Sequence, residues 1–297
     1  MKPWKAESLL LLVTLIWGAT FTFTKVGLDD CSPFFFIFLR FSIALVLSVL
    51  IWGKYLLKID RKTFRHGFVL GTFFAAGFVL QTLGLELTTV TKSAFITGMT
   101  VVITPFVFKL VIKKKVGFYQ KIGVIIATVG LWIFTNPTID NINLGDVLTL
   151  ISALFWALYI TYVDIYTKEI TEFAKTVQIV MMQFVVAIPV GLIGHFLFET
   201  NSFRFVLSSN LIWALLYNGI IASVFLTLIH TSVQKYSTPV KAALIFTLEP
   251  VFASIIAMVW LSESFATIEA VGAAILFIGV LFSETGEYIF KPSIAND

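Results

Sequence analysis

Charged residues fill only 13% of the 297 positions, about half of the roughly 25% typical of a soluble domain. A soluble fold of this size must cover its surface with polar groups. The shortage excludes an ordinary soluble enzyme, a disordered chain and a nucleic-acid module. A single cysteine, Cys31, excludes an internal disulfide and a cysteine-built zinc site. Three histidines, His66, His195 and His230, stand far apart and form no HExxH or related cluster, so no metal site is expected. The phosphate loop Gly-x-x-x-x-Gly-Lys-Ser/Thr is absent, and no nucleophile–base constellation is visible. The expectation is therefore no enzyme, no cofactor, no ATP and no nucleic-acid partner.

What the chain has instead is apolar length. Hydrophobic residues make up 58% of it, and the mean hydropathy is +0.96. A bilayer-spanning helix needs about 20 apolar residues. Stretches bounded by charges and turn residues predict spans at 7–24, 34–53, 67–86, 93–112, 118–135, 145–164, 176–198, 211–230, 240–261 and 266–284. The first follows Lys2 and Lys5 as a signal peptide would, but no small-x-small site and polar domain come after it, so it reads as a membrane helix. Thr20-Phe21-Thr22-Phe23-Thr24 alternates like a strand, yet a strand in lipid requires a closed barrel. The fold class is an all-α membrane protein whose partner is the lipid bilayer.

The basic residues set an orientation. Lys54, Lys58, Arg61, Lys62 and Arg65 follow the second span, and Lys109, Lys113, Lys114, Lys115 and Lys121 surround the join of the fourth and fifth. Asp29, Asp30, Asp140, Asn141, Asp146, Glu199 and Glu263 fall on the other side. Both termini are then cytoplasmic in a multi-pass protein of the cell (plasma or inner) membrane, and the net charge of +4 reflects lysines retained there.

The chain also repeats itself. Offset by 149 residues, Lys92 falls on Lys241, Ala94 on Ala243, Ile96 on Ile245, Val102 on Val251, Gly123 on Gly272 and Gly130 on Gly279. Offset by 139, Trp17 falls on Trp156. The turn-rich Thr135–Asn141 segment divides two units, 1–138 and 139–297, of five spans each. Five is odd, so the second unit enters the membrane from the opposite side. Inverted repeats are a device of secondary transporters. The ten helices thus predict a non-ATP transporter of small organic solutes working by alternating access. The alternatives are a passive channel, a membrane-embedded assembly protein or, with no constellation to support it, an intramembrane enzyme.

Trp17-Gly18 with Lys25, Arg40 in the second span, and Lys241-Ala242-Ala243 leading to Leu248-Glu249-Pro250-Val251 in the ninth carry a resemblance. So do Glu263, Gly272 and Gly279 after them, and Lys92-Ser93-Ala94-Phe95-Ile96-Thr97-Gly98 with Pro105 in the first unit. Together they resemble the EamA-type branch of the drug/metabolite transporter superfamily across nearly the whole chain. The resemblance implies ten helices in two inverted repeats and transport of small metabolites such as amino acids or drugs. It also implies a cavity mainly between the third, fourth, eighth and ninth helices, beside the first and sixth. One departure stands out: opposite Pro250 the first unit has Val101, and its proline, Pro105, comes four residues later. Helix kinks are expected at both prolines.

Each candidate residue has two readings. Glu249, deep in its span, is either a cavity carboxylate that takes a proton or contacts substrate, or a structural group bonding backbone freed by Pro250. Arg40 either meets a substrate carboxylate or snorkels and ties helices together. Lys92 and Lys241, at helix starts where the dipole is unfavourable to cations, either have a role, lining a cavity mouth or pairing with acidic residues, or sit at the interface. Gln81 and His230, equivalent at the 149 offset, line the path or pack. Trp17 and Trp156 stack on substrate or fill the core. Gly123, Ala127, Gly130, Gly272 and Gly279 offer close helix approach, within one chain or in a homodimer.

Overall fold

The computed structural model describes residues 1–135, 142–261 and 267–290; the linker at 136–141 and Glu263 lie outside them. In chain order the helices are α1 Pro3–Asp30, α2 Pro33–Trp52, α3 Arg61–Leu87, α4 Val90–Gly98, α5 Thr100–Ile112 and α6 Phe118–Thr135. The second half holds α7 Leu144–Thr167, α8 Phe173–Gly194, α9 Ser209–Leu216, α10 Thr227–Val233, α11 Pro239–Phe246, α12 Glu249–Leu261 and α13 Thr267–Phe290. A π-helical stretch, Tyr217–Leu226, joins α9 to α10. Among the described residues eight helical stretches are long and apolar enough to cross a bilayer, and shorter apolar stretches inside α6 and α13 complete ten spans. This is the expected all-α membrane fold. Its fourth span is α4 plus α5, its eighth α9 to α10, and its ninth α11 plus α12.

Local chemistry explains the ends. Pro3, Pro33 and Pro239 open α1, α2 and α11, where a missing N–H leaves no bond unmade. Asp60 accepts from the Thr63 N–H at 2.7 Å at the start of α3. Thr89 and Thr238, 149 residues apart, cap α4 and α11 alike, each accepting the N–H three residues on, from Lys92 and Lys241, at 3.2 Å. Asn143 and Asp146 close a reciprocal capping box on α7.

The packing carries the repeat as a two-fold relation. The first span lies against the eighth and ninth, as the sixth lies against the third and fourth. The second span packs on the eighth as the seventh does on the third. The second meets the seventh, α6 meets α13, and α4 crosses to α12 while α5 crosses to α11. Lipid offers no hydrophobic gain for helix association, so close backbone contact has to supply it. Gly130 and Gly272 show this: a Cβ on Gly130 would lie 2.4 Å from the Leu276 N, and one on Gly272 2.1 Å from the Phe134 N. The glycine stripe is used inside the chain, between α6 and α13.

Both the fourth and ninth spans are interrupted part-way along their length. α4 ends where Met99 takes ψ −10°, and α11 ends where Thr247 takes ψ −11°. The interruption in the fourth span lies at Met99, while Pro105, a position expected to kink, is inside α5. Pro250 does sit at an interruption, as the second residue of α12. The break follows the repeat, not the prolines: it falls at nearly the same place in both halves, although only one has a proline there.

Candidate functional site

A cavity opens where the interrupted spans meet α1, α3 and α7. Its volume is about 70 Å³, room for about five to seven waters at 10–15 Å³ each. α3 contributes Phe74, Phe78 and Gln81, one helical face at spacings of four and three. α7 contributes Trp156, Tyr159 and Ile160 in the same manner, and α1 contributes Trp17 and Thr20. The interrupted spans add Thr97, Gly98 and Thr100 on one side and Ala243, Phe246, Thr247 and Glu249 on the other. Arg40 reaches in from α2 and His230 from α10.

Five of the seven residues singled out for substrate contact lie here: Glu249, Gln81, His230, Trp17 and Arg40. Arg40 is buried, with 4% of its surface exposed, so it does not snorkel. Its Nε donates to Ser223 Oγ at 3.0 Å, and its guanidinium stands 4.4 Å from the Phe78 ring centroid. Ser223 is on the π-helical stretch and donates to the Asn218 carbonyl five residues back. The widened turn thus turns a hydroxyl toward the arginine. Among the described residues no carboxylate forms an ion pair with Arg40.

Glu249 opens α12, where the positive end of the helix dipole favours an anion. Among the described residues no donor engages its carboxylate. The structural reading required bonds to backbone near Pro250, and none are made among the described residues. One buried cation and one carboxylate therefore face one cavity, neither neutralised by a described neighbour.

The remaining wall is aromatic. His230 lies 5.4 Å from Trp17, 5.2 Å from Phe246 and 5.7 Å from Tyr159, centroid to centroid. Its Nε2 pairs with Gln234. Trp17 donates to the Ala222 carbonyl at 3.3 Å, and Gln81 donates to Thr97 Oγ1 at 3.0 Å. Trp156 Nε1 and His230 Nδ1 are buried with no partner among the described residues. Phe74, Phe78, Tyr159 and the threonines were missed in the sequence. The signal was present in the face shared by Phe74, Phe78 and Gln81, but it is lost among 31 phenylalanines.

Lys92 and Lys241 are not in the cavity. Lys92 Nζ pairs with Asp146 at 2.6 Å, and Lys241 Nζ pairs with Glu7 at 3.2 Å. Lys25, part of the sequence resemblance, holds the end of α3 by donating to the carbonyls of Leu85, Glu86 and Thr88 at 2.8, 3.1 and 3.0 Å.

The sequence matches the EamA-like transporter family over residues 4–136 and 143–285. An uncharacterized transporter of Archaeoglobus fulgidus is 30% identical over 272 residues, covering 92% of this chain and 83% of that protein. The uncharacterized transporter YoaV of Bacillus subtilis is 22% identical over 282 residues, 92% of this chain and 94% of its own. A solved crystal structure of a protein matches with a TM-score of 0.78 over 97% of this chain and 99% of the other, at 13% identity, a likeness of fold alone.

Proposed function

Because the chain belongs to the EamA-like transporter family, we propose that it is a secondary carrier that moves a small organic solute by alternating access. The observation that carries this reading is the cavity itself. It lies where the two repeats meet and holds Arg40 and Glu249 without charge partners among the described residues. A group buried without its counter-charge is costly in the membrane unless something solvates or pairs it. A solute bearing both a carboxylate and an ammonium supplies both counter-charges. The guanidinium takes the carboxylate in a planar fork, Glu249 takes the ammonium, and the aromatic wall takes an apolar side chain. Amino acids and compounds built like them are the class that fits.

Glu249 is also the cavity group suited to carry a coupled proton, since it has no carboxylate counterpart in the first repeat, where Thr100 stands at its place. The lysine and arginine distribution supports a cell-membrane location with both termini on the cytoplasmic side.

The test begins with a thermal-shift screen of the purified protein against amino acids and related metabolites, since a ligand bound to the folded state raises its apparent stability. The hit is then taken to proteoliposomes. A carrier exchanges labelled for unlabelled solute and is stimulated by solute on the far side; a passive channel lacks that stimulation, and an enzyme consumes the solute. Glu249→Gln is expected to abolish pH-driven accumulation while leaving exchange in place once the solute concentration is raised to offset its weaker binding. Unchanged pH dependence in that variant removes the proton role.

A further inference from the structure

The two lysines excluded from the cavity are held in equivalent ion pairs. Lys92 and Lys241 are 149 residues apart, and their partners Glu7 and Asp146 are 139 apart, the offset that also relates Trp17 to Trp156. Each pair has the same make-up. The lysine is in the first turn of a half-helix, α4 or α11. The acid is in the first turn or two of a long neighbouring helix, α7 or α1. Because the repeats are inverted, the pairs sit at opposite ends of the molecule: Lys241–Glu7 on the side where the chain begins, Lys92–Asp146 on the far side.

Each half-helix is the wall between the cavity and its own end. Lys92 is five residues from Thr97 in the cavity lining, and Lys241 is five from Phe246, about 8 Å in each case at 1.5 Å per residue. Behind each lies the backbone interruption, at Met99 and at Thr247. A short helix with a break at its inner end and an ion pair at its outer end is a hinged segment with a catch.

From this we infer that Lys92–Asp146 and Lys241–Glu7 are the two latches of the transport cycle, each closing one entrance by holding its half-helix against the neighbouring helix. Opening on the near side breaks Lys241–Glu7 and swings α11 about Thr247. Opening on the far side breaks Lys92–Asp146 and swings α4 about Met99. Both acids are braced by further donors: Asp146, 2.6 Å from Lys92, also accepts from Thr88 Oγ1 at 2.8 Å and the Asn143 N–H at 2.9 Å, and Glu7, 3.2 Å from Lys241, also accepts from Ser237 Oγ at 3.4 Å.

The inference rests on the carrier reading, and its test is independent of substrate. Ser93 and Ala242, equivalent at the 149 offset, are both fully buried on the half-helices beside the lysines. In a Cys31→Ser background each is replaced singly by cysteine and labelled with a membrane-impermeant maleimide in right-side-out and inside-out vesicles. Both cysteines are expected to label slowly in the unaltered protein, since both positions are fully buried. Glu7→Gln, which changes shape little, should raise near-side labelling of Ala242→Cys about ten-fold and lower far-side labelling of Ser93→Cys. Lys92→Met should do the reverse. The charge swap Glu7→Lys with Lys241→Glu should restore the original rates, which a merely packed position would not do. Changes of the same sign at both reporters, no change, or failure of the swap to restore the rates overturn the latches. Counterflow measured on the same preparations keeps the two readings apart: intact exchange with unmoved labelling strikes the latches alone, and absent exchange in the unaltered protein strikes the carrier.

Discussion

Replacing Glu249 by Gln removes one negative charge from the cavity and little else, since the side chain keeps its length and a carbonyl acceptor. The carboxylate is about 15 Å along the ninth span from Pro239, at 1.5 Å per residue, and among the described residues nothing donates to it. An ammonium bound there would be its only charge partner among the described residues and the solute. Removing one member of a buried, hydrogen-bonded charge pair costs about 2–5 kcal/mol. At about 1.4 kcal/mol per decade, that is roughly thirty-fold to several-thousand-fold in Kd. The remaining amide oxygen still accepts an N–H, which places the expected loss near the lower end, roughly thirty- to a hundred-fold. The assay is a thermodynamic cycle by titration calorimetry in detergent. An amino acid from the thermal-shift screen and its des-amino analogue are each titrated into the unaltered protein and the variant. The amino acid should weaken roughly thirty-fold or more, while the analogue, which brings no ammonium, should change less than about three-fold. Equal losses for both ligands, or none, refute a direct contact between Glu249 and the ammonium.

Three further outcomes are expected. In a Cys31→Ser background, cysteines at Lys58 and Lys114 should label only from the cytoplasmic side, and cysteines at Asp29 and Asn201 only from outside; labelling of positions 58 and 201 from one face ends the proposed orientation. Gly272→Val should lower the thermal midpoint by several degrees, because even its Cβ would lie 2.1 Å from the Phe134 N and overpacking costs about 1–3 kcal/mol; Gly117→Ala, with its nearest neighbour at 3.4 Å, is the control, and equal midpoints refute the backbone contact. The Thr63 N–H holds the exposed Asp60 carboxyl below its ordinary pKa. The cap is then fully effective above the ordinary carboxylate pKa and is lost as pH falls through the lowered value. The stability gap between the unaltered protein and Asp60→Ala, measured as thermal midpoint against pH, should close over that acidic range; a gap independent of pH refutes the cap.

The ten spans and their inverted repetition were legible in the chain because lipid imposes a one-dimensional rule: every crossing needs a long apolar run, and charges collect at its ends. The offsets pairing Lys92 with Lys241 and Trp17 with Trp156 survive in the sequence because equivalent helices keep equivalent registers. Even so, they did not reveal what each lysine meets. Lys92 finds Asp146 and Lys241 finds Glu7 across 54 and 234 positions of chain, and only helix packing brings those ends together. Arg40 could equally have snorkelled; its burial under Phe78 and its bond to Ser223 depend on a π-helical turn with no sequence mark of its own. Pro105 gave no sign of the interruption at Met99, which has no missing N–H of its own and belongs to the crossing of the two repeats. Which side chains bound an empty volume is likewise a property of many helices at once. Phe74 or Tyr159 reads like any other aromatic until the third and sixth spans are set against each other. Composition and periodicity are local and are written along the chain; the convergence of one cation, one carboxylate and an aromatic wall on one cavity is a relation among seven spans, and the folded structure alone decides it.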